Sequence, residues 1–253
     1  MCTVSFIPSN DKFFITSNRD EKLSRKTAIS PGMYEYNGQK LFFPKDADAG
    51  GAWIVMKENG DAAVLLNGAF INHTAEPPYR LSRGIILLDI FSTEKPSVTF
   101  AKINLGDIEP FTLVLLENNC LYEFRWDGAE KFCKQLKITM PYIWSSATLY
   151  DGFIIKKREQ WFASFLNDHP IPTQQDILNF HQFTGDGDRQ NDLLMTRDGM
   201  YTTVSITGIL LTKDRGCIAY LDISGNSSSE IKIELLQSSQ AIERKKFYTG
   251  LFS

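Results

Sequence analysis

The fold is decided by residues 2–19, which read CTVSFIPSNDKFFITSNR. Two runs rich in Val, Ile, Phe and Thr, Cys2–Pro8 and Phe13–Asn18, flank a short polar connection and predict a β-hairpin. If the hairpin turns on Asn10-Asp11, two residue types that tolerate positive φ, residues whose numbers sum to 21 lie opposite each other. This register places Cys2 beside Arg19, with about 5 Å between their Cβ atoms, whereas a slip of one residue would move Arg19 to the other face.

Cys2 combines a thiol with a position at which an α-amine can be exposed. A neighbouring guanidinium lowers the pKa of a thiol, and removal of Met1 would leave an amine of ordinary pKa about 8 that can act as a general base. The alternative is that Cys2 is a buried structural residue without a catalytic role, because free cysteine is among the most often buried residue types. Cys120 and Cys133 fall inside predicted strands and Cys217 begins one, so we expect burial to slow the reactions of these three thiols.

The rest of the chain alternates antiparallel strand pairs with helices. Asn59-Gly60 predicts a hairpin that joins Trp53–Lys57 to Asp61–Asn67. A meander of three strands is predicted at Phe111–Glu117, at Cys120–Trp126, and in a following strand that ends at about Leu136. Further strands are predicted at Tyr201–Leu211, Cys217–Ile223 and Ile231–Leu236. Helices are predicted at Leu81–Ser92, at Gly152–Asn167, and from Thr173 onward, where Asp176 completes a capping box. This order predicts one α+β domain over residues 1–253, with mainly antiparallel sheets covered by helices.

Composition excludes several classes of protein. The formal net charge is -3 and no dense Lys/Arg cluster occurs, which disfavours a nucleic-acid partner. No apolar run approaches the ~20 residues that span a bilayer, and no basic, apolar leader is present, so we expect a cytoplasmic protein with reduced thiols and no membrane span. Neither the four cysteines nor the three histidines show metal-ligand spacing, so no metal and no cofactor are predicted. The oligomeric state is not indicated.

Several motifs in the first 90 residues or so occur in an order that resembles the NRDE family, which includes the transport-and-Golgi-organisation proteins. Members begin Met-Cys, as this chain does. The further matching segments are Asn18-Arg19-Asp20-Glu21 followed by Ser24-Arg25, Gly50-Gly51-Ala52-Trp53, Asn67 at the end of an apolar strand, and Ser82-Arg83-Gly84. One tetrapeptide would be weak evidence, but this ordered set is specific.

The NRDE family is similar to the choloylglycine hydrolases and penicillin V acylases, which are N-terminal-nucleophile amidases with a four-layered αββα fold. The resemblance implies that Cys2 is the nucleophile and that Arg19 and Asp20 (or Glu21) orient its amine and thiol. It also implies that Asn67 donates a hydrogen bond to the oxyanion, a contact worth about 3–4 kcal/mol of barrier.

Three further residues are predicted to bind substrate, namely Asn18, Trp53 and Ser146. Trp53 follows Gly50-Gly51, where backbone can approach a ligand closely. Ser146 falls where the hydrolases carry an asparagine, and its hydroxyl donates one hydrogen bond where an amide would donate two. The structural alternatives are a core tryptophan for Trp53 and, for Arg19 with Asp20, a solvated ion pair worth less than about 1 kcal/mol.

The sequence therefore predicts a cysteine amidohydrolase that acts on a non-peptide or small amide C–N bond of a small-molecule substrate once Met1 is removed. The alternative is a non-catalytic binding or trafficking protein on the same scaffold, which holds a lipid or haem-like ligand. Fold alone does not separate these two functions.

Overall fold

The computed structural model describes residues 3–236, so Met1, Cys2 and residues 237–253 lie outside the described part of the chain. The strands are β1 (Thr3–Ser9), β2 (Lys12–Lys22), β3 (Ile29–Tyr36), β4 (Gln39–Lys45), β5 (Ile54–Lys57), β6 (Ala62–Asn67), β7 (Phe111–Glu117), β8 (Cys120–Trp126), β9 (Lys131–Leu136), β10 (Tyr142–Ser145), β11 (Thr196–Arg197), β12 (Tyr201–Leu211), β13 (Arg215–Asp222) and β14 (Ser227–Glu234). The helices are α1 (Arg83–Phe91), α2 (Pro96–Lys102), α3 (Gly152–Asp168) and α4 (Gln174–Phe183).

The strands form two antiparallel sheets. Sheet A has the order β10-β1-β2-β12-β13-β14, with β11 paired to β12, and sheet B runs β3-β4-β5-β6-β7-β8-β9 in sequence order. Sheet A thus joins the first two strands of the chain to the last ones, whereas sheet B is a continuous meander. The predicted α+β class with mainly antiparallel sheets is confirmed.

Three hydrophobic clusters define four layers. The cluster between the sheets contains Val4, Phe6 and Ile15 from sheet A together with residues of sheet B such as Val64. A second cluster packs α1 and α2 on the outer face of sheet B, and a third packs α3 and α4 on the outer face of sheet A. The order is helices, sheet A, sheet B, helices, which is the predicted αββα sandwich.

The first hairpin has the predicted register. Val4 lies opposite Ser17 and Phe6 opposite Ile15, so the paired numbers sum to 21. Asn10 and Asp11 have φ angles of 48° and 58°, which suit a two-residue hairpin turn. Because side chains alternate along a strand, even-numbered residues of β1 and odd-numbered residues of β2 face the other sheet.

The sequence analysis did not predict β3, β4, β10, β11 or α2. β3 contains Pro31 and Gly32 and is half exposed, and β10 has four residues, so neither shows a clear alternation of apolar and polar positions. The helix from Thr173 forms with the predicted capping box. Within residues 3–236, none of the helices combines the length and the apolar composition needed to cross a bilayer.

Candidate active site

Arg19 is buried in the space between the sheets. It is 1% exposed, and its Nη2 donates to Oδ2 of Asp46 at 2.7 Å. Its guanidinium also lies 4.7 Å from the centre of the Trp53 ring and 3.7 Å from a carboxylate oxygen of Glu21. The Nε atom has no hydrogen-bond partner among the described residues. A solvated surface charge is therefore the wrong interpretation of Arg19, and the cation is held in one orientation at low exposure.

Asp46 organises the charges around Arg19. It accepts hydrogen bonds from Arg25 at 3.0 and 3.1 Å and from the backbone N–H groups of Asp48 and Ala49. Burial alone would raise the pKa of Asp46, but the hydrogen bonds from Arg25 and Ala49 and the nearby positive charges outweigh it and hold the pKa below its usual value. Sequence reasoning missed this residue, whose only signal is its position in the polar stretch after β4.

Asp20 lies on the opposite face of β2 from Arg19, toward the helices. Its Oδ2 accepts a hydrogen bond from the Tyr150 hydroxyl at 2.9 Å, and its Oδ1 accepts one from the Thr203 hydroxyl at 2.6 Å. The residue is 3% exposed. The side chains of Arg19 and Asp20 therefore lie on opposite faces of sheet A, because consecutive residues of a strand point to opposite faces.

Asn67 ends β6 and lines the main cavity. Ser146 is fully buried, and its hydroxyl donates to the backbone carbonyl of Asn67 at 2.8 Å. Ser146 itself does not line the cavity but supports the backbone of Asn67, and its predicted contact with substrate stays a prediction. Within residues 3–236 the Asn67 side-chain amide has no protein partner, which leaves its donors available to a ligand.

Asn18 faces the helices and is fully buried. Its Nδ2 donates to the carbonyls of His181 and Leu193, and its Oδ1 lies 2.5 Å from Nδ1 of His181. His181 contacts the Ser5 hydroxyl through Nε2 at 2.7 Å, and burial together with the charge of Arg158 lowers its pKa to about 3. Asn18 does not line the cavity, so its predicted contact with substrate has no support in this geometry.

A cavity of about 600 Å³ opens beside these groups. Its walls come from the segment between β4 and β5, from β6, and from residues 79–85 at and before the start of α1. Of the residues predicted from sequence, it is lined by Trp53, by Asn67 and by Glu21, the predicted alternative to Asp20, and Arg25 and Asp46 add charges. Gly51 allows close packing at this wall, because a Cβ there would lie 2.6 Å from the backbone of Gly84.

The chain matches the model of the family described as Transport and Golgi organisation 2 over residues 1–217. This chain belongs to that family. The resemblance inferred from the N-terminal motifs is thus confirmed over most of the sequence. A comparison with curated proteins found no match.

Solved structures similar to this family member include two amidohydrolases. The Caenorhabditis elegans N-acylethanolamine-hydrolyzing acid amidase ortholog aligns with a TM-score of 0.55 at 11% identity, over 82% of this chain and 92% of the other. The conjugated bile acid hydrolase of Clostridium perfringens, as an arginine-to-leucine variant, gives 0.56 at 11% identity over 91% and 92%. A cysteine-to-alanine mutant of the same hydrolase gives 0.53 at 11% identity over 95% and 98%. At such identity the likeness shows the fold, which is that of the N-terminal-nucleophile hydrolases.

The burial of the cysteine thiols in this family member agrees only partly with the prediction. Cys217 is buried, and burial together with Glu230 raises its pKa to about 12. Cys133, by contrast, is exposed, so the expectation that it is buried was wrong. It lies on β9, the last strand of sheet B, which has one open edge. Cys120 is partly buried. Cys2 lies outside the described part of the chain.

Proposed function

We propose that this chain is a cysteine amidohydrolase that acts on a non-peptide or small amide C–N bond once Met1 has been removed. The proposal rests on one observation above all, namely that the buried, oriented cation of Arg19 and the cavity-lining residue Asn67 lie close to the residues that pair with the start of β1. Arg19 and Asn67 supply these two groups from different sheets.

The strand registers of the described residues support this proposal. Thr3 pairs with Asn18 on β2 and with Ser145 on β10. If these registers continued by one residue, Cys2 would lie between Arg19 and Ser146, and Ser146 in turn donates to the backbone carbonyl of Asn67. If they continued by two, the position of Met1 would lie opposite Asp20. After processing, Arg19 would therefore lie nearest the thiol, and Asp20 nearest the new α-amine.

The proposed reaction follows from these positions. The α-amine accepts the thiol proton, and the thiolate, stabilised by the Arg19 guanidinium, attacks the amide carbonyl and forms a C–S bond. Asn67 donates to the oxyanion. The C–N bond then breaks as the amine leaves with the proton held by Cys2, and water hydrolyses the thioester to release the acid and regenerate the thiol. Trp53 and Leu65 provide apolar cavity wall for the acyl part of the substrate.

A thiol-labelling experiment tests this proposal. Protein whose N-terminus has been verified by intact mass is treated with iodoacetamide at pH 7, and each cysteine is followed by peptide mass spectrometry. We expect Cys2 to be alkylated at least about tenfold faster than the exposed Cys133, because a guanidinium beside a thiol favours the reactive thiolate. The Met1-retained protein should lose this advantage, and Arg19→Ala should reduce it.

Hydrolysis is then tested with a panel of 4-nitroanilide amides. Cys2→Ala should abolish turnover, and Asn67→Ala should reduce kcat by about 100-fold or more while leaving the alkylation of Cys2 intact. Cys133→Ala is the matched control and should change neither rate. Equal alkylation of Cys2 and Cys133 in processed protein would reject the nucleophile. The alternative of a non-catalytic protein that holds a lipid or haem-like ligand in the same cavity would then be favoured.

A further inference from the structure

Two hydroxyl groups from distant parts of the chain converge on the carboxylate of Asp20. Tyr150 follows β10 and lies 130 residues from Asp20, whereas Thr203 lies on β12, 183 residues away. Each hydroxyl binds a different carboxylate oxygen, at 2.9 and 2.6 Å. Tyr150 is 3% exposed and Thr203 is 1% exposed, so water does not compete strongly for these bonds. The carboxylate is therefore fixed in rotation as well as in place.

An irregularity in β12 makes this arrangement possible. Thr203 pairs with Asp20 and Ser205 pairs with Arg19, so one extra residue, Val204, is inserted between the two pairs. In a regular strand Thr203 and Ser205 would face the same side, but β2 requires Asp20 and Arg19 to face opposite sides. The bulge resolves this conflict, because it turns Thr203 toward Asp20 on the helix side of the sheet.

Tyr150 is itself held by a buried cation that also holds the start of β1. The Arg158 guanidinium lies 3.6 Å from the centre of the Tyr150 ring, and its Nη1 donates to the Thr3 hydroxyl at 2.5 Å. Arg158 is fully buried. One side chain thus fixes both the hydroxyl donor to Asp20 and the first described residue of the chain, which is the geometry expected if Asp20 and the chain start must be kept in register.

We propose that Tyr150 and Thr203 are positioning residues that hold the Asp20 carboxylate against the α-amine of processed Cys2. The inference rests on the proposed function, since only removal of Met1 creates that amine. Neither residue lines the cavity, so neither is expected to touch a substrate. A carboxylate held beside the amine raises its pKa above the ordinary value of about 8, and the amine then accepts the thiol proton more readily.

The test measures the α-amine directly, without a substrate. Protein is prepared as a ubiquitin fusion whose removal leaves residue 2 first, in a Cys2→Ser background so that no thiol titrates with the amine. The rate of α-amine acetylation by acetic anhydride is followed against pH by peptide mass spectrometry. We expect Tyr150→Phe and Thr203→Val each to lower the pKa of the amine by about 0.5–1 unit, which speeds acetylation at pH 7 about three- to tenfold.

Two controls separate positioning from packing. Thr203→Ser keeps the hydroxyl and should restore the pKa of the parent, and Thr202→Val, whose hydroxyl contacts the carbonyl of Met195 instead, should not move it. An amine pKa that stays within about 0.2 units of the parent in both Tyr150→Phe and Thr203→Val would overturn the inference. If Thr203→Val does not fold, Tyr150→Phe decides alone. The proposed function is tested separately in protein prepared in the same way but with the native Cys2. Slow alkylation of Cys2 in that protein would contradict the proposed function.

Discussion

Nη2 of Arg19 lies 2.7 Å from Oδ2 of Asp46, and this ion pair joins the two sheets next to the cavity. Arg19 is on β2 of sheet A, whereas Asp46 directly follows β4 of sheet B. The Arg19 side chain is almost fully shielded from solvent, with 2% of its surface exposed. Its geometry therefore contributes both to the stability of the sandwich and to the orientation of the guanidinium that the proposed reaction needs.

Replacing Asp46→Asn should destabilise the protein by about 3 kcal/mol, because it leaves the buried Arg19 cation without its nearest counter-charge. Urea unfolding followed by circular dichroism measures the change. Asp48→Asn is the matched control, since the Asp48 side chain is 34% exposed and lies 3.4 and 4.0 Å from its cations. That control should cost less than about 1 kcal/mol, and similar losses in the two variants would show that Asp46 acts only as a surface charge.

His181 should make stability fall as the solution is acidified. Its pKa is about 3 in the folded protein and about 6.5 in the unfolded chain, so between these values only the unfolded chain takes up the proton. The neutral His181 imidazole makes its full contribution to the free energy of unfolding above pH 6.5. This contribution declines as pH falls toward 3, by at most about 1.4 kcal/mol per pH unit.

Unfolding free energies of the native protein and of His181→Gln, measured from pH 7 to pH 4, check this dependence. The native protein should lose more stability over that range than His181→Gln does. His169→Gln, a change at an exposed histidine, should follow the native curve. Parallel curves for the native protein and His181→Gln would mean that His181 titrates normally in the folded state.

Gly51→Ala should lower Tm and disturb the cavity wall. The added Cβ would lie 2.6 Å from the carbonyl carbon of Gly84 and 2.8 Å from the backbone nitrogen of Ile85, so the start of α1 must move. Overpacking against backbone costs about 1–3 kcal/mol. Gly152→Ala, at the first residue of α3 with no heavy atom within 4 Å of the new Cβ, should instead raise Tm slightly. Equal effects of the two substitutions in a thermal melt would contradict this account.

Cys217 should be nearly inert toward iodoacetamide at pH 8, since its pKa is raised to about 12 by burial and by Glu230, whose carboxylate lies 2.9 Å from the sulfur. Glu230→Gln should increase the alkylation rate of Cys217 while leaving that of Cys133 unchanged. Labelling followed site by site with mass spectrometry gives both rates. Fast alkylation of Cys217 in the native protein would show that the thiol is more accessible than its surroundings indicate.

Several local features of this protein could be predicted from its sequence. The register of β1 with β2 follows from the turn residues Asn10 and Asp11 and from the alternation of side chains, both of which act over a few residues. The capping box at Thr173 is local in the same way. Trp53 and Asn67 could be proposed for the cavity because family motifs mark them, and the structure places both on its wall.

How these elements pack against one another depends on contacts between residues far apart in the sequence. The partner of Arg19 is 27 residues away, and those of Asp20 are 130 and 183 residues away, so no periodicity or spacing could identify them. The same holds for the burial of Ser146, which depends on the pairing of β10 with β1, two strands separated by more than half of the chain. Such contacts form only when the sheets and helices pack, because their energy comes from groups that the unfolded chain keeps apart.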